Sequence, residues 1–369
     1  MTKRRWTRRE FVKNAAGALG AASLPMSTNA TAAAPTVEEE KPAQSVLPRW
    51  KGFNLTYFFT KWEDATPVED DFRLMQDWGF NFARLPMSYD LWVQPNDWYE
   101  VKEDVLERID QVVDLGQKYG LHVSLNFHRG PGYCVNPPLE KLSLWKDKRA
   151  EEAFCWHWAM FAKRYKGINS DRLSFDLINE PRSPDDKMSR EDYERVVRAA
   201  TKAIRRTDAE RYVIIDGLRW GRDTVPELID LGLGQSMRGY DPMQISHYKA
   251  SWVNGDRFPN PVWPDANGTA HKWDRKRLEE LYKPWFEIAR KGVGVHCGEC
   301  GCYNKTPHTV FLAWFRDVLE ILTEQNIGYA LWNFRGGFGL LNSKRTDVAY
   351  EDFRGHKLDR KLLSLLQEF

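Results

Sequence analysis

Apolar and polar positions alternate along this chain with a regularity that predicts repeated strand–helix pairs. Short apolar runs rich in β-branched and aromatic residues predict eight strands, near residues 50–55, 81–86, 122–128, 173–179, 212–216, 243–247, 293–299 and 328–332. Amphipathic segments between them predict helices, near residues 67–78, 103–119, 149–166, 190–206, 224–230, 275–290, 307–325 and 359–368. Eight such pairs predict a single (β/α)8 TIM barrel, with a doubly wound open sheet as the alternative. No glycine-rich phosphate loop follows the first strand, which favours the barrel.

The amino-terminal segment does not share this pattern. Adjacent Arg8 and Arg9 precede a short apolar run rich in Ala and Gly, and small residues follow it. This order predicts a twin-arginine export signal over residues 1–34. Its apolar run is shorter than the roughly 20 residues that a membrane span needs. We therefore expect an exported protein that acts in the periplasm or outside the cell, with no membrane insertion after signal removal.

The net charge changes once this segment is set aside. The whole chain has 54 basic and 52 acidic side chains, and residues 1–34 hold six of the basic ones and a single acidic one. The rest of the chain therefore has 48 basic and 51 acidic side chains, a net charge of −3. This balance does not indicate nucleic acid or an anionic membrane as a partner. Residues 35–48 are polar and interrupted by prolines, which predicts a flexible leader, and residues 49–369 then form one catalytic domain, expected to be monomeric.

The chain has five cysteines, and an exported chain that folds before transport need not have disulfides. The five are Cys134, Cys155, Cys297, Cys300 and Cys302, and an odd number excludes complete internal pairing. The last three follow a predicted strand without a second matched cluster, so that free or partly paired core thiols are favoured over a structural zinc. We expect no metal and no other cofactor.

The chemistry of the chain is concentrated where the predicted strands end. In a (β/α)8 barrel the active site forms at the carboxyl ends of the strands. Those ends carry Asn54, Arg84, His128, Asn179 with Glu180, Asp216, His247 with Tyr248, Glu299, and Trp332. Two glutamates in different environments can divide the roles of proton donor and nucleophile. The set predicts a polar, hydrogen-bonding pocket with an aromatic platform, and for Asp216 a loop-anchoring role is favoured.

These residues resemble glycoside hydrolase family 5, the family of cellulases and related β-glycanases, over roughly residues 50–369. The resemblance is carried by Phe82-Ala-Arg-Leu-Pro86, Leu177-Ile-Asn-Glu-Pro181, the strand-end histidines, Glu299 and Leu331-Trp332. It implies a retaining, double-displacement hydrolysis with Glu180 as the general acid/base and Glu299 as the nucleophile.

The same resemblance implies the roles of the other pocket residues. Arg84 would hold Glu299 ionised, and Asn179 would contact the 2-hydroxyl of the sugar. His128 and His247 would bind hydroxyls or orient the carboxylates, and Trp332 would form the apolar floor of the cleavage subsite. The family usually has a tyrosine two positions after the sixth-strand histidine, where it hydrogen-bonds the nucleophile. Lys249 stands at that position here, and Tyr248 is a weaker candidate for the role.

The substrate expected from these features is a β-linked glucan, such as cellulose or mixed-linkage glucan. Aromatic rings stack on the C–H faces of sugars, and six tryptophans lie in predicted loops on the catalytic face, about half of which we expect to line a cleft. They are Trp62, Trp92, Trp145, Trp220, Trp252 and Trp263. A β-mannanase or an exo-acting β-glucosidase on the same scaffold is an alternative. A non-catalytic carbohydrate-binding barrel and a metal-dependent barrel hydrolase are more remote ones.

Overall fold

The computed structural model describes residues 47–61, 65–265 and 272–369 of the 369-residue chain. The predicted export signal and all but the last two residues of the predicted leader lie outside these described residues. Within the described ranges, no helix is both long and apolar enough to cross a membrane.

Eight parallel strands form a closed barrel. They are β1 (Lys51–Asn54), β2 (Phe82–Ser88), β3 (His122–Gly130), β4 (Leu173–Asp176), β5 (Tyr212–Asp216), β6 (Gly234–Gly239), β7 (Val295–Cys300) and β8 (Gly328–Leu331). Each strand pairs in parallel with the next one, and β8 pairs with β1, so that the ring has no open edge. The predicted (β/α)8 barrel is confirmed, and the doubly wound alternative is wrong.

Seven long helices cover the outside of the barrel in the part of the chain that the structure describes. They are α1 (Glu69–Asp77), α2 (Glu103–Lys118), α3 (Lys148–Arg164), α4 (Arg190–Arg205), α5 (Arg275–Ala289), α6 (His308–Glu324) and α7 (Arg360–Glu368). Each buries an apolar stripe against the strands. Helix α4 shows how the sequence sets a boundary, because Ser189 and Asp192 cap each other's backbone N–H groups in a capping box.

Short elements fill the connections. Helical turns form at Tyr89–Leu91, Pro226–Leu231, Met243–Ser246, Ser251–Val253 and Gly255–Arg257, and Leu218–Gly221 forms a turn with left-handed backbone at Arg219 and Trp220. Short strands form the antiparallel pairs Val93–Gln94 with Asp97–Val101 and Glu351–Phe353 with His356–Leu358, and Tyr133–Cys134 folds back on β3. The helix predicted near residues 224–230 is therefore only a 3-10 turn.

The predicted sixth strand is wrong. Residues Met243–Ser246 form a helical turn, whereas the sixth strand is Gly234–Gly239, with the sequence Gly-Gln-Ser-Met-Arg-Gly. This segment has one large apolar residue, Met237, so its composition gives no strand signal. Its polar side chains are buried and find partners in the fold. The amide of Gln235, for example, bonds both the backbone N and O of Val225, at 2.9 and 2.8 Å.

Aromatic rings fill the barrel near the amino ends of its strands. Trp50 stacks on His122, with ring centroids 3.9 Å apart, and on Phe82 at 5.1 Å. The ring of His296 lies against Phe82 at 4.7 Å. This apolar layer closes the bottom of the barrel and leaves the carboxyl ends of the strands as the place for polar chemistry.

Candidate active site

The barrel brings the predicted glutamates and their partners into one buried cluster. Arg84 on β2 is its centre and is almost completely buried. Its Nη1 donates to Oε1 of Glu299 at 2.7 Å, its Nε to Oδ2 of Asp176 at 2.8 Å, and its Nη2 to Oδ1 of Asn179 at 2.9 Å. A guanidinium is permanently charged and has five donors in a rigid fork, so it can hold several acceptors in fixed positions.

Glu299 is held from two sides. Besides Arg84 at Oε1, the hydroxyl of Tyr240 donates to its Oε2 at 3.1 Å. Burial and the charge of Glu299 raise the pKa of Tyr240 well above its usual value, so that this hydroxyl keeps its proton and remains a donor. Only 5% of the Glu299 side chain is exposed.

Tyr240 is the tyrosine that the sequence did not reveal. It lies two positions after Arg238, which ends the true sixth strand together with Gly239. The predicted candidate Tyr248 instead donates to Oδ1 of Asn260 at 2.6 Å and not to Glu299. The assignment of Tyr248 as support for the nucleophile was therefore wrong, because it depended on the wrong sixth strand.

Glu180 has a different environment, although it lies in the same pocket. Its side chain is 18% exposed, and its Oε1 accepts from Nε of Arg238 at 3.0 Å. Its backbone has a φ of +49°, a conformation that non-glycine residues rarely adopt. Two hydrogen bonds hold it there: its N–H donates to Oδ2 of Asp216 at 2.8 Å, and its carbonyl accepts from the hydroxyl of Tyr133 at 2.7 Å. Asp216 thus anchors the backbone that presents Glu180.

The pKa of Glu180 is raised to about 7. Burial is the largest cause, the negative charge of Glu299 adds to it, and Arg238 opposes it. Burial and Asp216 likewise raise the pKa of Asp176 to about 7, against the opposing charge of Arg84. A carboxyl group that keeps its proton near neutral pH can act as a general acid.

Three of the predicted binding residues line the pocket with unused polar atoms or with rings. Asn179 accepts from both Arg84 and Arg238 through Oδ1, and its buried Nδ2 has no partner among the described residues. His128 bonds Oδ1 of Asn136 through Nε2, and its buried Nδ1 is similarly without a partner within the described part of the chain. The half-buried ring of Trp332 lies 5.7 Å from that of His128 and 5.0 Å from that of Phe59.

His247 lies in the pocket wall, although it is not on a strand. Its ring meets that of Tyr240 edge to face at 4.9 Å, and its Nδ1 lies 2.8 Å from Oγ of Ser246. Burial lowers its pKa to about 4, while the charge of Glu299 acts in the opposite direction. Its place at the end of the sixth strand is taken by Arg238, which the sequence analysis missed.

The loop tryptophans divide into core and surface. Trp92 and Trp145 are buried, Trp263 is partly buried with its Nε1 bonded to Asp317, and Trp62 lies outside the described residues. Trp220 and Trp252 are 40% and 59% exposed. These two are the loop tryptophans of the predicted set that the described structure offers to a ligand.

The cysteines do not form a metal site in the described part of the chain. All five are free, and four of them are buried. No group of three or more His, Cys, Asp or Glu side chains within residues 47–61, 65–265 and 272–369 could hold a metal ion.

The closed (β/α)8 barrel thus holds in one cluster a carboxyl group of raised pKa, Glu180, and an ion-paired carboxylate, Glu299, and a carboxyl group of raised pKa is typical of enzymes that use acid catalysis. Residues 39–337 match the sequence profile of Cellulase (glycosyl hydrolase family 5). The chain therefore belongs to glycosyl hydrolase family 5, and the protein is a glycoside hydrolase.

Individual relatives agree with this family. Endoglucanase C of Acetivibrio thermocellus is 27% identical over 317 residues, which cover 78% of this chain and 90% of the relative. Cellodextrinase A of Ruminococcus flavefaciens is 28% identical over 292 residues, covering 75% and 83%. A crystal structure of a glycoside hydrolase superimposes with a TM-score of 0.83 at 41% identity, over 87% of this chain and 99% of that one. The endoglucanase Cel5A of Thermotoga maritima, with a TM-score of 0.69 at 22% identity over 86% and 96%, shares the fold.

Proposed function

We propose that this protein is an exported, retaining endo-β-glucanase that cleaves cellulose or mixed-linkage β-glucan by double displacement. The observation that carries the proposal is the difference in environment between two glutamates of one pocket. Glu299 is fixed by Arg84 and Tyr240, whereas Glu180 has a pKa raised to about 7 and a partly exposed side chain. The similarity to endoglucanases supports the β-glucan substrate.

In the first step, a carboxylate oxygen of Glu299 attacks the anomeric carbon while the glycosidic C–O bond breaks. The proton of Glu180 moves to the departing oxygen, which leaves as a hydroxyl group of the released sugar chain. In the second step, water attacks the same carbon and breaks the bond to Glu299. Glu180 accepts a proton from that water, and both glutamates return to their initial states.

The unused polar atoms of the pocket support contacts to the sugar. Nδ2 of Asn179 is buried without a partner among the described residues, and we expect it to donate to the 2-hydroxyl group, a bond that strengthens in the transition state. Nδ1 of His128 is placed to accept from a hydroxyl group, because Nε2 of the ring faces an amide oxygen and is the donor. Trp332 supplies the apolar surface beneath the ring.

The substrate and the stereochemistry are tested together. Activity is compared on barley β-glucan, carboxymethyl cellulose, glucomannan and aryl glycosides, and the anomer of the first product is followed by proton NMR. We expect the highest kcat/KM on a glucan, a rapid loss of its viscosity, and a product that keeps the β configuration. An inverted anomer would contradict the double displacement. A preference for glucomannan would mean that a mannan, and not a glucan, is the substrate.

The roles of the two glutamates are tested by substitution. Glu299→Gln should lose at least about a thousandfold in kcat on every substrate, since no covalent intermediate can form. Glu180→Gln should lose about 10²–10⁴-fold on glucan and much less on a dinitrophenyl glycoside, whose leaving group needs no proton. Glu227→Gln, which alters the peripheral ion pair with Arg190, serves as the control. Near-normal turnover of the Glu299 variant would refute the mechanism.

A further inference from the structure

The arginine at the end of the sixth strand contacts both glutamates. Arg238 is 97% buried, and its Nε donates to Oε1 of Glu180 at 3.0 Å. Its Nη2 donates to Oδ1 of Asn179 at 2.9 Å and lies 3.4 Å from Oε1 of Glu299. Its Nη1 and Nη2 also bind the carboxylate of Asp216. One guanidinium therefore joins the acid/base, the nucleophile, the sugar-contacting amide and the residue that anchors Glu180.

Two glycines leave the space that this side chain occupies. A methyl group on Gly221 would lie 2.6 Å from its Cγ, and one on Gly298 would lie 3.1 Å from its Nη1. On the same strand, Oγ of Ser236 accepts from Nη1 at 2.9 Å. The position of the guanidinium is thus fixed by packing as well as by charge.

Two buried arginines face four carboxyl groups in this cluster. Arg84 pairs with Asp176 and Glu299, and Arg238 pairs with Asp216 and Glu180. Among the described residues, the arginine that contacts Glu180 is Arg238 and not Arg84, so the charge of Arg238 is the counter-charge next to the acid/base. A histidine, which the family pattern led us to expect on this strand, would lose its charge near neutral pH, whereas arginine keeps it.

We propose that Arg238 is a positioning residue that couples the two catalytic glutamates. Its guanidinium holds Oε1 of Glu180 and at the same time lies against the carboxylate of Glu299. With Oε1 occupied by Nε–H, the proton of Glu180 resides on Oε2, which accepts no hydrogen bond from the described residues. The same contact keeps Glu180 acidic enough to give up its proton. This inference depends on the proposed roles of Glu180 and Glu299.

The effect on pH dependence has a definite sign. The groups around Glu180 that bear charge or titrate are Glu299 on β7, Arg238 on β6, Asp216 on β5, Tyr133 after β3, and Arg222 and Tyr240 in the loops after β5 and β6. Loss of the positive charge at Arg238 raises the pKa of Glu180. Because Glu180 must be protonated to act, the basic limb of kcat/KM moves to higher pH.

The test compares a variant that lacks the positive charge of Arg238 with one that keeps the charge but lacks the forked donors of the guanidinium. Arg238→Met leaves Asp216 buried without its partner, so it is made both alone and in an Asp216→Asn parent, in which the amide still accepts from the N–H of Glu180. Relative to that parent, we expect the basic limb to rise by about one pH unit and kcat/KM on glucan to fall about 100-fold. Arg238→Lys, which keeps the charge and loses the fork, should lower kcat with the limb within about 0.3 pH units of the wild type.

Three comparisons make the result decisive. Arg211→Met removes another buried, ion-paired arginine far from the pocket and should lower the melting temperature without moving the limb. If Arg238→Met does not raise the pH of the basic limb of kcat/KM relative to its Asp216→Asn parent, the inference is overturned. An equal loss of kcat/KM on glucan and on dinitrophenyl glycosides also overturns it. If Glu180→Gln and Glu299→Gln are active, the proposed function has failed; if they are inactive and the limb stays, only the coupling by Arg238 has failed.

Discussion

At the scale of single residues, identical side chains acquire different chemistry from their neighbours. Glu180 and Glu299 are both glutamates in one pocket. Arg84 and Tyr240 occupy both oxygens of Glu299, whereas Glu180 receives a bond from Arg238 at Oε1 only. Burial and the charge of Glu299 then raise the pKa of Glu180, and these two effects exceed the opposing one of Arg238. The difference in their proposed roles follows from the contacts and not from residue type.

Tyr240 and Tyr248 allow a direct test of this assignment. Tyr240→Phe removes the hydrogen bond to Oε2 of Glu299 and should lower kcat/KM by about 10- to 100-fold, since bonds to charged groups contribute about 1.5–3 kcal/mol. Tyr248→Phe, which loses only the bond to Asn260, should stay within about threefold of the wild type. Steady-state kinetics on barley β-glucan measure both, and a larger loss at Tyr248 would contradict the assignment.

At the scale of elements, the connection after β5 is unusual because it replaces a helix by a strained loop. Arg219, Trp220 and Gly221 have consecutive φ values of +53°, +57° and +75°, which two non-glycine residues rarely adopt in sequence. The N–H of Trp220 donates to the carbonyl of Pro181 at 2.9 Å, so the loop is tied to the segment that carries Glu180. Strained residues kept beside a reacting group indicate a function.

We expect Trp220 to stack on the sugar of the departing chain, because its loop adjoins the acid/base. Trp220→Ala should lower kcat/KM on glucan by about 5- to 30-fold, equivalent to about 1–2 kcal/mol of lost stacking, and change it little on aryl glucosides, which lack that sugar. Val262→Ala, another exposed apolar residue, is the control. Equal losses on the polymer and on aryl glucosides would argue for a general disturbance of Glu180.

At the scale of the whole molecule, the barrel interior has an apolar layer near the amino ends of the strands and a charged layer near their carboxyl ends. Near the amino ends of the strands, Trp50, Phe82, His122 and His296 pack together. Burial lowers the pKa of both histidines to about 3. Near the carboxyl ends, two buried arginines pair with three buried carboxyl groups and with the partly exposed Glu180. Neutral histidines are therefore stable in the apolar layer near the amino ends. Near the carboxyl ends, charged side chains are stable only because each is paired with an opposite charge.

The buried histidines predict a loss of stability in acid. Their folded pKa of about 3 lies below the unfolded value of about 6.5, so stability is complete above pH 6.5 and declines as pH falls toward 3, by at most about 1.4 kcal/mol per pH unit for each group.

His296 is the best place to measure this effect, because neither of its ring nitrogens has a partner among the described residues. His296→Leu should be at least as stable as the wild type at pH 7 and lose less stability between pH 7 and 4.5. Urea unfolding at both pH values gives the free energies, with His356→Leu, in a half-buried hairpin, as the matched control. If His296→Leu loses as much unfolding free energy between pH 7 and 4.5 as the wild type, this histidine is excluded as a source of acid lability.

The sequence by itself determined the barrel and the pair of glutamates. Strand and helix periodicities agree with the observed elements for seven strands and seven long helices, and the motifs around Arg84, Asn179, Glu180 and Glu299 lie on or directly after strands whose apolar character is clear. Such signals are local, so they survive without knowledge of contacts. The predicted positions of seven strands and of the long helices are accordingly close to the observed ones.

Only the tertiary structure decided what supports the two glutamates. The strand that bears Arg238 is polar and flanked by glycines, and it is stable because the side chain of Arg238 finds partners on β5, on β7 and in the segment after β4. No local pattern reports such partners, since they are more than 20 positions away in the sequence or lie across the barrel. The error at the sixth strand hid both Arg238 and Tyr240 and made Lys249 seem to replace a tyrosine that is present. Composition can indicate a strand whose apolar residues are buried in the core. A buried strand whose charged residues are paired with opposite charges on other strands cannot be recognised until the closed barrel shows those partners.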